Sequence, residues 1–395
     1  MFTSWIGLFI SMGVLLVVSR KSLPLAFALS AITLGAFTLP PVGIWRGVWS
    51  TVADPSVLLL AVAMGIIPMI GGIMEVSGQM DRLVNNLRIG KKAFLALSPA
   101  LFGTLPMPGG ALLSSPMVER AGEGIEGRDK AALNVWFRHA LLIIYPLNSA
   151  LIVSAKIAGL EVHRAILYLL PSFVVVVIIG WVFFLRDVEG EILYRGTISA
   201  RDLLLPLSII LLAPLLSFLL PQLFAFGLPE WTTLIAVSCS LGLALFLGDL
   251  SWEDVKKINE RMVPWNFSLI IVGMFLFLNI FKASGVSELL AASASSILLL
   301  CIISFLLGVI TGRVQLPTSV VIPTYLSMTG GNPMPPTIFT LVFFSAFLGY
   351  LISPVHPCVS VSTEYFGVRI GDYLKAAALP TLVAFIPTLA LALLV

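Results

Sequence analysis

The sequence predicts an all-α polytopic membrane protein with about ten transmembrane helices and two re-entrant hairpins, arranged as two inverted-topology repeats. Three observations lead to this fold class. The 395 residues are 58% hydrophobic and only 11% charged, whereas soluble proteins average about 25% charged residues. Apolar segments long enough to span a bilayer recur along the whole chain. Two further apolar regions, in corresponding parts of the two halves, are interrupted by proline and glycine.

The apolar segments form two sets of five, separated by the charged loop Arg186–Asp202. Spans are predicted at residues 4–19, 23–39, 55–76, 131–155, 164–185, 203–220, 230–248, 264–281, 335–361 and 372–394. Residues 1–190 are therefore predicted to form the first repeat and residues 191–395 the second. Because each set has an odd number of helices, the second repeat should cross the membrane in the opposite sense to the first.

The interrupted regions, at residues 93–118 and 295–328, are predicted to be re-entrant hairpins. They contain LPMPGGALLSSP (Leu105–Pro116) and TGRVQLPTSVVIP (Thr311–Pro323). Irregular backbone at membrane depth is tolerated only where it is buried in protein or lines a cavity. Lysine and arginine collect in cytoplasmic loops, and two hairpins place 17 of 21 loop cations on one side, whereas two full crossings leave 11 and 10. With both termini outside, the first hairpin enters from the cytoplasm and the second from the outside.

A faint internal repeat agrees with this arrangement. Residues match at an offset of 207 or 208 positions, and the matches fall on the same architectural landmarks in both halves. The matching pairs include Gly78 with Gly285, Thr104 with Thr311, Pro116 with Pro323, Pro146 with Pro354, and Ser154 with Ser362. Paired broken segments in corresponding halves of a chain are typical of the binding site of a secondary transporter.

Each hairpin is followed by a helix that is predicted to break at mid-depth, at YPLNS (Tyr145–Ser149) and at SPVHP (Ser353–Pro357). Proline removes a helical hydrogen bond and clashes with the preceding turn. Helix N-termini at such a break suit an anionic group, and freed carbonyl groups suit Na⁺. The alternative is that each proline only kinks a packed helix.

The hairpin tips and the two breaks therefore supply the candidate substrate-binding residues. These are Thr104, Pro108, Gly109, Gly110, Ser114, Ser115, Asn148, Ser149, Arg313, Gln315, Thr318, Ser319, Ser353 and His356. Backbone near Gly109, Tyr145, Pro317 and Ser353 could coordinate Na⁺ as a coupling ion. No other metal site and no cofactor is predicted, because the three cysteines form no ligand pattern.

Arg313 is the most informative single residue, because a charge at membrane depth is a functional-site hypothesis by default. Its guanidinium fits a carboxylate or phosphate in a bidentate way. The alternatives are that it snorkels to the outer interface or pairs with a structural acid. His356 could relay protons or be held by hydrogen bonds in a polar pocket. Arg138 and His139, near the end of their predicted span, are interpreted as interfacial.

Lys156 and Glu364 occupy repeat-equivalent positions on opposite sides of the predicted membrane. They are interpreted as loop charges, and a symmetric salt-bridge gate is the alternative. Few carboxylates lie deep in the predicted spans, which disfavours a carboxylate proton relay. Coupling by backbone-bound Na⁺ or by a histidine-based proton path stays open.

The motif content excludes the common enzyme classes, since HExxH, GxSxG and the Walker P-loop are all missing from the sequence. No basic run suited to nucleic acid is present. The sequence therefore predicts a secondary active transporter for a small organic anion, driven by Na⁺ or H⁺, with the lipid bilayer as its surroundings. The alternatives are an uncoupled channel or facilitator for a small solute, and a structural or biogenesis protein of the membrane.

Ten helices in two inverted halves, each half with a hairpin and a proline-broken helix, resemble the ion transporter superfamily of anion symporters and permeases. The LPMPGGALLSSP stretch and the chain length look most like the DUF401 integral membrane proteins of prokaryotes. The resemblance implies a cytoplasmic-membrane homodimer with a scaffold domain at its interface and a transport domain that moves as an elevator. Dicarboxylate transporters of the superfamily carry a Ser-Asn-Thr signature at each hairpin tip. The tips here, Met107–Gly110 and Gln315–Ser319, lack it, so the resemblance identifies neither the substrate nor the coupling ion.

Overall fold

The computed structural model describes residues 2–105, 110–192, 194, 199–293 and 296–394, and these residues form helices and no strands. The helices of the first half are α1 (Phe2–Ser19), α2 (Leu23–Thr38), α3 (Pro41–Val52), α4 (Pro55–Val76), α5 (Gln79–Asn85), α6 (Lys91–Gly103), α7 (Ala111–Ala121), α8 (Gly127–Ala140), α9 (Ser149–Ile157) and α10 (Val162–Gly180). Those of the second half are α11 (Ala200–Leu223), α12 (Glu230–Gly248), α13 (Trp252–Met262), α14 (Pro264–Ala283), α15 (Val286–Ser293), α16 (Ile297–Thr311), α17 (Gln315–Met328), α18 (Pro336–Leu351), α19 (Pro357–Tyr365) and α20 (Ile370–Leu394). A 3₁₀ turn, Leu141–Ile143, follows α8, and a π-helical segment, Trp181–Leu185, extends α10.

The chain is a multi-pass membrane protein, because seven of its described helical segments are long and apolar enough to cross a bilayer. They are Phe2–Ser19, Pro55–Val76, Val162–Leu185, Ala200–Leu223, Glu230–Gly248, Trp252–Ala283 and Ile370–Leu394. The sequence predicts ten spans, and the three others are not single long helices. The α2 helix has 16 residues, and the predicted spans 131–155 and 335–361 are each divided in two. The number of membrane crossings stays a prediction.

The two broken helices have clear local causes. In the first half, the helical chain ends at Ile143 and resumes at Ser149, where the Asn148 side chain caps α9 by accepting a hydrogen bond from the Ala150 amide at 3.0 Å. In the second half, α18 ends at Leu351 and α19 starts with Pro357 in its first turn, where a missing N–H costs nothing. Both interruptions lie where the prolines of the sequence predict them.

Corresponding helices of the two halves begin at a nearly constant separation along the sequence. The α5 and α15 helices start 207 residues apart, and the α9 and α19 helices start 208 residues apart. Gly78 and Gly285, which precede α5 and α15, have the same left-handed φ of 69°. The inverted orientation of the two halves across a membrane stays a prediction, as do the re-entrant character of the hairpins and the division at residue 190.

The hairpins and the broken helices form the centre of the molecule, and they pack across the two halves. The α7 helix contacts α19, and α17 contacts α9. The Ser154 hydroxyl of α9 donates to Thr318 Oγ1 of α17 at 2.8 Å. The Asn134 side-chain amide of α8 donates to both Ser115 Oγ of α7 and Ser362 Oγ of α19, each at 3.0 Å. Polar side chains that bond across helices are a usual source of adhesion inside a membrane.

A second group of helices, formed by α1, α2, α4, α11, α12 and α14, lies beside this centre. One ion pair in the described residues joins the two groups. Lys156 in α9 donates to the Glu230 carboxylate of α12 and to the Ser56 hydroxyl of α4. Only 8% of the Glu230 side chain and 27% of the Lys156 side chain are exposed. Lys156, interpreted from the sequence as a loop charge, is therefore a half-buried link between two helix groups.

Candidate functional site

A cavity of about 350 Å³ lies where the two hairpins and the two broken helices meet. Its described lining comes from the ends of α6, α8 and α18, from the turn after α16, from the starts of α7, α9, α17 and α19, and from Phe267 of α14. The polar and charged residues among them are Thr104, Arg138, His139, Asn148, Ser149, Arg313, Gln315, Tyr350, His356 and Cys358. No aspartate or glutamate belongs to this described lining.

Four helices begin at the wall of the cavity. The first residues of α7, α9, α17 and α19, or the residues that cap them, all belong to the lining. A helix N-terminus carries positive partial charge and N–H groups without a partner inside the helix. Four of them around one cavity favour an occupant with negative charge.

Glycines allow the first arm of each hairpin to end directly against a broken helix. Gly312 follows α16 with a left-handed φ of 61°, and a Cβ there would lie 2.9 Å from the backbone nitrogen of His356. Gly103, the last residue of α6, is pressed against the carbonyl group of Arg138 in the same way. A larger side chain at either position would push the hairpin away from the broken helix.

Two guanidinium groups, those of Arg138 and Arg313, reach the cavity. Arg138 is only 4% exposed, and its Nη1 atom has no hydrogen-bond partner among the described residues. Its remaining contacts include the thiol of Cys358. Neither arginine takes part in any of the ion pairs that the described residues form. One buried and one partly buried positive charge without a carboxylate partner are costly unless another anion compensates them.

Two imidazole rings lie beside these charges. The centroids of His139 and His356 are 4.7 Å apart, and the Tyr350 ring lies 4.0 Å from His356 and 5.1 Å from His139. Nδ1 of His139 lies 2.6 Å from the carbonyl oxygen of Val135, so it carries the ring hydrogen and leaves Nε2 with a lone pair. His356 is 1% exposed, and its Nδ1 has no partner among the described residues.

One group of side chains in the described residues has the donor atoms of a transition-metal site. A nitrogen from each of His139 and His356 and the sulfur of Cys358 lie within 4.8 Å of one another. Imidazole and thiol are ligands that zinc and copper accept. The guanidinium groups of Arg138 and Arg313 in the same cavity oppose a cation there, and we assign no metal to this group.

The structure brings half of the predicted site residues together. Thr104, Gly110, Asn148, Ser149, Arg313, Gln315 and His356 line the cavity. Ser114, Ser115, Thr318, Ser319 and Ser353 lie outside its lining, and their hydroxyls donate to nearby backbone carbonyl groups. Pro108 and Gly109, with the rest of the tip at 106–109, lie outside the described residues. Whether any of these residues binds a substrate stays a prediction.

Two of the four positions predicted to hold Na⁺ have carbonyl groups that already accept a backbone hydrogen bond. The Tyr145 carbonyl accepts from the Asn148 amide at 2.9 Å, and the Ser353 carbonyl accepts from the His356 amide at 3.2 Å. Pro317 lies in the first turn of α17, and Gly109 is outside the described residues. A sodium site at these positions stays a prediction.

Arg138 and His139 correct the sequence interpretation, which made them interfacial. Both are buried, at 4% and 2% exposure, and both line the cavity. The reason is that α8 has only 14 residues and ends at the cavity, so its last turn lies inside the protein. The sequence does contain a signal for Arg138: an arginine inside a predicted span indicates a functional site, as it does for Arg313. Tyr350 and Cys358, also in the lining, carried no such signal.

Fold and cavity together define a helical membrane protein with a buried, positively charged site between broken helices. The chain belongs to the DUF401 family, described as a protein of unknown function, whose model matches residues 2–395. Among solved structures, the fold is similar to that of the Alcanivorax borkumensis YdaH transporter. The TM-score is 0.59 at 14% sequence identity, over 94% of this chain and 96% of that one. At this identity the match shows a shared fold. No protein with a curated description matches the chain.

Proposed function

We propose that the chain is a secondary active transporter that moves a small organic anion across the membrane. The observation that carries the proposal is the charge of the cavity: Arg138 and Arg313 lie in it without an ion-pair partner, and no described lining residue is acidic. An anion in the cavity would compensate both guanidinium groups. The fold shared with a protein described as a transporter supports the transport part of the proposal.

The substrate would sit between the two halves and contact both. Arg313 and Gln315 would reach it from the second hairpin, and Asn148 and Ser149 from the first broken helix. The N-termini of α7 and α19 line the same cavity, so the amide groups of their first turns, other than that of Pro357, which has no N–H, would complete the anion site. A guanidinium group suits a carboxylate because its two parallel N–H groups match the two oxygens.

The movement that we propose is an elevator, in which the hairpins and broken helices travel together past the second helix group. Its support is the packing: α7 with α19 and α17 with α9 join the centre into one unit. The driving gradient is Na⁺ or H⁺. The alternative function is an uncoupled facilitator for a small solute, and membership of the ion transporter superfamily and a homodimer remain part of the proposal.

A thermal-unfolding screen of the purified protein tests the anion site. Succinate, citrate, glutamate, sulfate and phosphate would be added separately, each with Na⁺ or with choline as the cation. A ligand that binds the folded state raises the unfolding temperature by mass action. We expect at least one of these anions to do so, and the uncharged diamide of succinate to have no effect. Stabilisation by uncharged solutes or by cations alone would contradict an anion site.

Proteoliposomes then separate the two functions. A secondary active transporter accumulates the stabilising anion above its external concentration only when an ion gradient is imposed. A facilitator equilibrates the anion with or without the gradient. That result would contradict the secondary active transporter and support the uncoupled facilitator.

A further inference from the structure

The histidine pair His139 and His356 has a place in the cavity that anion binding alone does not explain. The two rings are in contact, both are almost completely buried, and Nδ1 of His356 lacks a partner among the described residues. A buried polar atom without a partner costs free energy. Such an atom calls for an explanation, and a proton or a ligand that arrives during the transport cycle would be one.

The pair has two places for a proton. Nε2 of His139 keeps a lone pair because Nδ1 donates to the Val135 carbonyl. Nδ1 of His356 has no hydrogen-bond partner among the described residues. Protonation of Nε2 of His139 or of Nδ1 of His356 breaks no hydrogen bond. The two rings are in contact, so a proton on either one places its positive charge beside the other.

Five segments around the pair bring a titratable or charged group. Arg138 faces it from α8, and Arg313 faces it from the turn between α16 and α17. Tyr350 of α18 lies against both rings, and Cys358 of α19 completes the group. Tyr373 of α20 lies behind Tyr350 and Cys358, and its hydroxyl donates to the Leu351 carbonyl at 2.6 Å. No carboxylate belongs to this set.

A proton on the pair would therefore be a third positive charge beside two guanidinium groups. Coulomb repulsion at such distances is strong in a buried site and weak in water. An anion between the guanidinium groups removes the repulsion, and it attracts the proton as well. By linkage, if the anion favours the proton, the proton favours the anion by the same factor.

We propose that His139 and His356 form a proton-binding pair that is loaded when an anion binds between Arg138 and Arg313, so that the protein carries a proton together with its substrate. The inference rests on the proposed function and names H⁺ as its coupling ion. The proton comes from the aqueous side on which the anion enters, and it leaves the pair when the anion leaves.

A substitution that removes one guanidinium charge should act on the histidines as a bound anion does, and this allows a test without a known substrate. The chain has three histidines, and His163→Gln leaves only the pair. With ¹⁵N-labelled histidine, nuclear magnetic resonance of the purified protein distinguishes neutral from protonated rings over a pH titration. In the His163→Gln background, we expect Arg313→Gln and Arg138→Gln each to move the protonation midpoint of the pair up by about one pH unit or more.

The matched control is Arg20→Gln, which removes an exposed arginine in the turn after α1 and should leave the midpoint unchanged. Both cavity variants are measured because one of them can fail to fold. A midpoint that stays within about 0.3 pH units in a folded cavity variant would overturn the proposal. So would a pair that is already protonated in the anion-free protein with both arginines present at neutral pH.

A second measurement uses the unaltered protein and whichever of succinate, citrate, glutamate, sulfate or phosphate stabilises it most. Binding is followed by calorimetry in two buffers of different ionisation enthalpy, which reports the protons taken up. We expect about one proton per anion, and none in the His139→Gln, His356→Gln double variant. Anion binding without proton uptake overturns the proton pair and leaves the anion transporter standing. Failure of all five anions to bind counts against the anion site instead, and the resonance titration then decides the pair.

Discussion

The two cavity arginines are not equally easy to predict from the sequence, but the fold gives both of them the same position at the cavity. Arg313 lies in an interrupted hairpin, where a charge is conspicuous. Arg138 lies at the end of α8, where it could be taken for a surface residue. The fold brings both guanidinium groups to one cavity, and neither has an ion-pair partner among the described residues. They should therefore contribute similarly to anion affinity.

We expect Arg313→Gln and Arg138→Gln each to weaken binding of the stabilising anion by about 1–3 kcal/mol, or roughly 5- to 150-fold. The reason is the loss of a charge-assisted hydrogen bond in a buried site. Equilibrium binding to the purified variants measures the effect, with Arg20→Gln as the control. An affinity within about twofold of the original would assign the arginine a structural role.

Gly312 offers a second test at the scale of one residue. Its φ of 61° and its contact with the His356 backbone leave no room for a Cβ. We expect Gly312→Ala to lower the free energy of unfolding by more than about 1 kcal/mol, and to weaken anion binding because the hairpin tip moves. Gly13→Ala in α1 is the matched control, since nothing lies within 4 Å of the added carbon. Equal effects of the two changes on thermal unfolding would argue against a tight hairpin contact.

At the scale of elements, the hairpins and breaks were the most predictable part of the fold. Proline and glycine in apolar surroundings predict interruptions, and the structure places helix ends at Gly103, Thr311, Ile143 and Leu351. The short helices α3, α5, α13 and α15 were not predicted, because they are too short or too polar to give a span signal. One of them did have a readable start: Ser251 and Asp254 form a capping box at α13.

The hydroxyl groups of the hairpins show what sequence cannot give. Ser114, Thr318 and Ser319 were expected at the cavity because they are polar residues in apolar helices. In the structure their hydroxyls donate to carbonyl groups three or four residues earlier in the same segment. Serine and threonine often do this inside helices, so polarity alone does not predict which residues face a ligand. The direction in which each hydroxyl group points depends on how α7 and α17 pack, and the sequence alone does not determine that packing.

The ion pair between α9 and α12 makes a prediction about how two elements are joined. Lys156→Gln leaves the nearly buried Glu230 carboxylate without its cation, and we expect a loss of about 1–3 kcal/mol in the free energy of unfolding. That is less than the 3–5 kcal/mol of a fully buried pair, because Lys156 is partly exposed. Thermal unfolding measures the effect.

The double variant Lys156→Gln, Glu230→Gln tests the coupling. It should recover part of the loss, because no uncompensated charge remains. Strictly additive effects of the two substitutions would show that the pair does not act as a unit.

At the scale of the whole molecule, the distribution of lysine and arginine predicts which loops lie on which side of the membrane. With both termini outside, the loop before α12 lies outside and the loop after it lies in the cytoplasm. Gly227 and Glu253 are exposed positions in these two places. In intact cells, a membrane-impermeant maleimide should label Gly227→Cys and not Glu253→Cys, with the parent chain as the background control. The reverse labelling would invert the predicted topology.

The crossed packing of the two halves also has a consequence for how the protein is made. Asn134 bonds to Ser362, a partner 228 residues later in the chain, and Ser154 bonds to Thr318, 164 residues later. During synthesis the first hairpin and its broken helix are therefore made before the segments that pack against them in the folded protein. Until those segments are made, Arg138 and His139 lack their neighbours from the second half. The cavity closes only after the last hairpin and α19 have left the ribosome. A ribosome-stalled chain that ends before α16 should be unable to bind the anion, even when α1 to α15 have folded in the membrane.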